Sequence, residues 1–258
     1  MSTPLSAAKF LAALRAEGVR VQEHGNWRDH NRDHKGPWGP VHGVMIHHTV
    51  TRGATAAQTA DSVELCYDGH ADLPGPLCHS VGAKDGTIYM VGWGRANHAG
   101  LGDDDVLQAV IAERALPPDN EANTDGNRAF YGIELINLGN GDDPWPEAQV
   151  EAAARWAAAL CRKHGWSERS VIGHKEWQPG KIDPTFDMAK FRARVAKLLA
   201  GKPGGSKPPT TPAPTTYTVK SKDTLSGIAK AHKLTLTQLI DLNPALITPG
   251  DKLRVKKG

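Results

Sequence analysis

The chain has 258 residues, of which 39% are hydrophobic and 23% charged. These are globular values that exclude wholesale disorder, and no run approaches the roughly 20 apolar residues needed to span a bilayer. The net charge of +3 is uneven: from Gly201 onward ten Lys and Arg face three Asp, leaving an acidic body and a basic tail suited to a polyanion or an anionic surface. Three cysteines without CxxC spacing exclude a disulfide framework and a Cys-based zinc ribbon, while a single Cys66–Cys78 bridge stays open.

In chain order, Ser6 to Glu17 reads as an amphipathic helix ended by Gly18. Val41 to Ile46 is an apolar run suited to a buried strand that finishes at His47-His48-Thr49. A helix is expected over Thr55 to Tyr67, then a hairpin with Leu77 to Ala83 and Thr87 to Val91 joined by Lys84-Asp85-Gly86. Gly100 to Arg128 shows no period and reads as a long surface loop. Ala129 to Leu138 is a second buried strand, Pro146 to His164 an Ala-rich helix, Val171 to Gly173 a short strand running into His174, and Phe186 to Ala200 a closing helix. Strands interleaved with helices predict an α/β fold, a central sheet covered by helices.

The stretch from Gly201 to Thr216, rich in Pro, Gly and Thr, reads as a semi-extended linker. The expected organisation is therefore a body over 1–200, a linker over 201–216 and a small unit over 217–258. In that unit Tyr217 opens a strand, Asp223 or Thr224 caps a first helix, Thr235 to Leu242 forms a second, and Leu253 to Val255 returns as a strand.

Most of the twelve histidines sit in polar loops, but His47 and His174 each follow a strand, so both can project from one rim of a sheet. Asp183 stands nine residues after His174. Two imidazoles and a carboxylate, with a fourth position for water, are what a catalytic zinc site requires. Adjacent residues on a strand point to opposite faces, so the residues alone leave His47 and His48 as alternatives.

Ile46-His47-His48-Thr49, Asn97-His98-Ala99-Gly100, Gly132-Ile133-Glu134-Leu135 and Gly173-His174 with Lys181-Ile182-Asp183-Pro184 occur in that order. Together they resemble the type 2 N-acetylmuramoyl-L-alanine amidase family, relatives of the peptidoglycan recognition proteins. The resemblance implies a central mixed sheet covered by helices, with zinc on His47, His174 and Asp183. It implies Glu134 as proton carrier and Lys181 as oxyanion stabiliser. The reaction implied is cleavage of the amide joining N-acetylmuramic acid to L-alanine of the stem peptide. His98 and His79 are candidates to line the substrate groove, with a satisfied structural histidine as the alternative for His98. Some relatives place a catalytic Tyr where Cys78 stands, so Cys78 is given no role; for Trp38 and Trp93, core packing is expected.

Tyr217 to Val255 resembles a LysM module, a βααβ unit that binds N-acetylglucosamine-containing glycans. That resemblance assigns glycan contact to Asp223, Thr224, Leu225, Asn243 and Pro244. The expected partner is bacterial peptidoglycan, with no nucleic acid and no membrane, and the expected state a monomer. Met1 to Phe10 lacks the layout of a secretory signal. An endolysin held in the host cytoplasm until release to the wall is therefore expected, with non-classical secretion as the alternative. A recognition protein that binds peptidoglycan without cutting it is the competing reading, opposed by the intact ligand set.

Overall fold

The computed structural model describes residues 2–205, 216–241, 243 and 252–254. Helix α1 (Ala7–Ala16) starts at Ser6, whose hydroxyl accepts from the Lys9 amide, and leads into a short strand β1 (Val21–Glu23). Strand β2 (Gly43–His48) runs two residues further than its apolar core, so both histidines are part of it. Helix α2 (Ala56–Asp68) is capped by Thr55 and is followed by a two-residue ribbon, β3 (Gly69–His70) with β4 (Leu73–Pro74). The hairpin β5 (Ser80–Gly82) and β6 (Ile88–Met90) forms where the sequence places it.

The segment expected to be one long loop is instead structured. It holds β7 (Leu101–Gly102) paired with β8 (Thr124–Asp125), helix α3 (Asp104–Ile111) and a single turn α4 (Gly126–Ala129). The organising residue is Asp103, 1% exposed. One carboxylate oxygen accepts from the amides of Asp105 and Val106 at the start of α3, and the other from Asn120 and Glu121 at 2.8 and 3.2 Å, tying the helix to the returning chain.

Strand β9 (Phe130–Leu135), the long helix α5 (Glu147–His164), β10 (Val171–Gly173) and α6 (Met188–Ala200) complete the body. The six-stranded sheet has the order β1-β6-β5-β9-β2-β10 and is parallel except where β5 meets β6. The α/β expectation of a central mixed sheet covered by helices holds. No helix among the described residues is long and apolar enough to cross a membrane.

Side-chain alternation divides the sheet into two faces. Val44 and Ile46 of β2, with Tyr131, Ile133 and Leu135 of β9, pack with Phe10, Leu14, Trp156 and Phe191 from α1, α5 and α6. Met45, Phe130 and Ile172 face the opposite way, against Val106 and Val110 of α3 and Trp177. His47 follows Met45's side of β2, and His48 follows that of Ile46. Trp93 stacks on Phe10 at 4.4 Å and Trp38 on His79 at 4.9 Å, both as packing residues.

At the C-terminal end, β11 (Thr216–Thr218) pairs antiparallel with β12 (Lys252–Arg254). Helices α7 (Leu225–Ala231) and α8 (Leu236–Asp241) lie between them in sequence, and Val219, Ile228, Ala229 and Leu239 form a small core. This is the βααβ pattern expected of the unit, with Thr224 rather than Asp223 as the cap of α7.

Asp103→Ala would strand four backbone amides at once. We expect a loss of roughly 2 kcal/mol, or about 4–8 °C in Tm for a body of this size, measured by calorimetry. An unchanged Tm would show that α3 does not depend on this carboxylate.

Candidate metal centre

The carboxyl ends of β2, β9 and β10 lie side by side at one edge of the sheet. Parallel pairing sets His47 opposite Glu134 and Ile46 opposite Gly173, so that His174 emerges next to both. The chain after His174 makes a tight turn in which Trp177 and Gln178 donate their amides to the His174 carbonyl. It then returns so that the Lys175 amide donates to the Asp183 carbonyl at 2.7 Å. Glu176 accepts from the Gly173 amide and is paired with Arg192 of α6, and Trp177 donates its indole N–H to the Ala99 carbonyl. The loop is thus pinned on both sides, which brings Asp183 back to His174.

The result is a triangle of donor atoms. His47 Nδ1 and His174 Nδ1 are 3.0 Å apart, and each is 3.1 Å from Asp183 Oδ2. Among the described residues this is the group of His, Cys, Asp and Glu side chains arranged so that it could hold a metal ion. His47 is 1% exposed and His174 5%. Two nitrogens and a carboxylate oxygen at such separations suit a small divalent cation with N and O preference.

Burial in this pocket, with the neighbouring His174, lowers the His47 pKa to about 4 despite the hydrogen bond to Asp183. Burial alone would raise Asp183, but hydrogen bonds and charge from His174 and His47 outweigh it and hold its carboxyl well below the usual range. Glu134 lies on the same face of β9, half-buried, and its Oε2 is shut away without a hydrogen-bond partner among the described residues. Desolvation pushes its pKa well above the ordinary carboxylate value, helped by Cys66 and Asp183 and opposed by Lys181. Lys181 itself is exposed at the rim. His48, on the other face, packs against Gly139 and Trp145, so β2 presents only His47 to the centre.

His98 and His79, expected to line a groove, sit behind the centre. His98 is 8% exposed, with its Nδ1 3.1 Å from His47 Nε2 and its Nε2 3.3 Å from the Phe130 carbonyl. His79 is fully buried; its Nε2 donates to the Gly94 carbonyl and its Nδ1 accepts from the Gly132 amide, both at 2.9 Å. Every ring nitrogen of the two is engaged, leaving none for a ligand. Burial holds His79 at a pKa of about 4 and His98 well below its ordinary value.

Residues the sequence reading passed over also build the site. Gln178 places Oε1 3.2 Å from His174 Nε2, four residues earlier in the chain. Asn127 accepts from the amides of His98 and Ala99, both at 2.8 Å. Cys66 and Cys78 are free, buried thiols packed beside Glu134, with no bridge between them.

In the C-terminal unit, Asp223 accepts from the Tyr217 hydroxyl and the Lys220 amide, Thr224 accepts from the Gly227 amide, and Leu225 packs on the small core. Asn243 donates its side-chain amide to the Leu239 carbonyl; Pro244 lies outside the described residues.

A sequence profile described as N-acetylmuramoyl-L-alanine amidase matches residues 37–186. The chain belongs to that amidase family. A second profile, described as LysM domain, matches residues 217–256. Among relatives of the amidase, the N-acetylmuramoyl-L-alanine amidase XlyB of Bacillus subtilis (strain 168) is 30% identical over 173 residues, 64% of this chain and 54% of its own. XlyA of the same organism is 35% identical over 144 residues, 52% of this chain and 42% of its own. The chain therefore spans about half the length of the curated relatives it matches. Among solved structures, a mutant endolysin from Bacillus subtilis is 22% identical, with a TM-score of 0.45 over 69% of this chain and 99% of its own.

His47 and His79 are neutral in the fold and bind protons only near pH 4, whereas in the unfolded chain they do so near 6.5. Their contribution to stability is full above pH 6.5 and is lost as the pH falls from 6.5 towards 4. Thermal melts of the protein in the presence of a chelator should show Tm dropping across that window, and a flat profile would mean that the folded state accepts these protons without cost.

Proposed function

We propose that the chain is a zinc-dependent N-acetylmuramoyl-L-alanine amidase that cuts peptidoglycan between the lactyl group of N-acetylmuramic acid and L-alanine, held to its substrate by the C-terminal LysM module. The observation that carries this reading is the triangle of His47 Nδ1, His174 Nδ1 and Asp183 Oδ2, with edges of 3.0–3.1 Å, beside a Glu134 carboxyl oxygen that has no hydrogen-bond partner among the described residues. Two imidazoles and one carboxylate are the donor set of catalytic zinc sites, which keep a position open for water or substrate. When bound, zinc supplies Lewis acidity that makes water a nucleophile near neutral pH and polarises a carbonyl.

The protein's own groups divide the remaining work. Glu134 sits across the strand pair from His47 and, with its raised pKa, suits a group that takes a proton from the attacking water and returns it to the departing amine. Lys181, exposed and two residues from Asp183, brings positive charge to the rim, where the amide oxygen becomes negative as the carbonyl carbon turns tetrahedral. The exposed apolar side chains of Val50 and Ile182, 67% and 65% accessible, frame the same rim and suit contact with the substrate.

The domain plan we propose is a catalytic body over 1–200, a linker over 201–216 and a glycan-binding module over 217–258. Because Asp223 and Thr224 spend their side chains on bracing the loop before α7, glycan contact there falls to the loop backbone as well as to Leu225, Asn243 and Pro244. Tethering raises the local concentration of the catalytic body at an insoluble substrate. This plan serves an endolysin and an autolysin equally.

Purified cell walls incubated with the protein should gain free N-terminal L-alanine, a chelator should abolish the gain, and added zinc should restore it. Glu134→Gln should lower turnover by about 100-fold or more with zinc still bound; undiminished turnover would remove Glu134 from the chemistry. A chain ending at residue 205 should sediment less with walls while cleaving soluble muropeptide at the full rate. Equal sedimentation of the short and full chains would end the anchoring claim.

A further inference from the structure

The lone pairs of His47 and His174 reach the centre only if each neutral ring carries its proton on Nε2, and that choice is set by atoms outside the triangle. For His47 the setting begins at a backbone carbonyl. The oxygen of Phe130 can only accept, so His98, 3.3 Å away through Nε2, keeps its proton there and leaves Nδ1 bare. That bare Nδ1 lies 3.1 Å from His47 Nε2, which must then donate. His47 is left with its lone pair on Nδ1, the atom turned towards His174 and Asp183. For His174, Gln178 Oε1 stands 3.2 Å from Nε2 and accepts its proton, again freeing Nδ1 for the centre.

Both devices are held in place by the fold. The His98 ring occupies the space over Gly132 of β9, where an added Cβ would come within 2.6 Å of its Cγ and Nδ1. Asn127 grips the backbone at His98 and Ala99, and the His79 ring meets the His98 ring nearly edge-on at 5.6 Å between centroids. Gln178 is fixed relative to His174 by its own amide, which donates to the His174 carbonyl.

We infer that His98 and Gln178 are positioning residues that lock the two histidine ligands in the Nε2–H tautomer, each presenting Nδ1 to the metal. The inference rests on the zinc-centre reading above. Partners of this kind fix ligand orientation as well as tautomer, and their loss weakens metal binding typically about 10- to 100-fold.

The test is zinc affinity of the purified full chain, measured by competition with a chromogenic chelator, alongside Tm of each metal-free variant. Gln178 is partly exposed, so its variants should fold normally and melt within a few degrees of the parent. Gln178→Leu should weaken zinc binding by about 10- to 100-fold, whereas Gln178→Glu, which can only accept, should stay within a few-fold of the parent. At the buried partner, His98→Asn keeps an acceptor oxygen near the place of Nδ1 and should bind zinc more tightly than His98→Leu. Parent-like affinity in Gln178→Leu, or equal losses in Gln178→Leu and Gln178→Glu, would overturn the inference and leave the zinc centre standing. A parent chain that binds no zinc would overturn the zinc reading itself.

Discussion

Three electron-rich atoms from two distant segments of the chain point at one another across 3.0–3.1 Å in a pocket nearly closed to solvent. Lone pairs so arranged repel unless a cation or a proton lies among them. Much of the body can be understood as the means of enforcing that arrangement. Three parallel strands align the ends from which His47, Glu134 and His174 emerge, and the pinned turn after β10 carries Asp183 back into range. The Arg192–Glu176 pair joins α6 to that turn, so the closing helix braces the site as well as covering the sheet.

The two faces of β2 make the division of labour visible. Alternation sends Val44, Ile46 and His48 towards α1 and α5, and Met45 and His47 towards α3. Adjacent histidines of identical chemistry therefore have different fates, one in the triangle with His174 and Asp183 and the other packed beneath Gly139 and Trp145. Glu134 shares the His47 face, and its desolvation raises its pKa in the direction a proton carrier needs.

Much of this was legible in the sequence because it is written in local periodicity: the apolar runs of β2 and β9, the alanine-rich α5 and the turn-bounded hairpin. Helix α3 escaped because it is only eight residues long and sits among Pro, Asp and Asn. Its signal, Asp103 followed by Val106, Ala109 and Val110 at helical spacing, is brief. That His47, His174 and Asp183 would come together was legible from strand ends and motif order. The place of His98 was not, since nothing within its own segment reveals that Phe130 and His47 lie on either side of its ring. Gln178 was hidden for a different reason: its partner is four residues away, but an isolated glutamine in a turn carries no distinguishing pattern.

The bare face of Gly132 bears on whether such a site can be moved to another protein. Grafting His47, His174 and Asp183 onto a different parallel sheet would transfer the donors without what orients them. A faithful graft needs the gap in β9, the imidazole that fills it, and a carbonyl two residues earlier in that strand to accept that ring's N–H. The portable unit is thus larger than the ligand set. It includes one position defined by having no side chain at all.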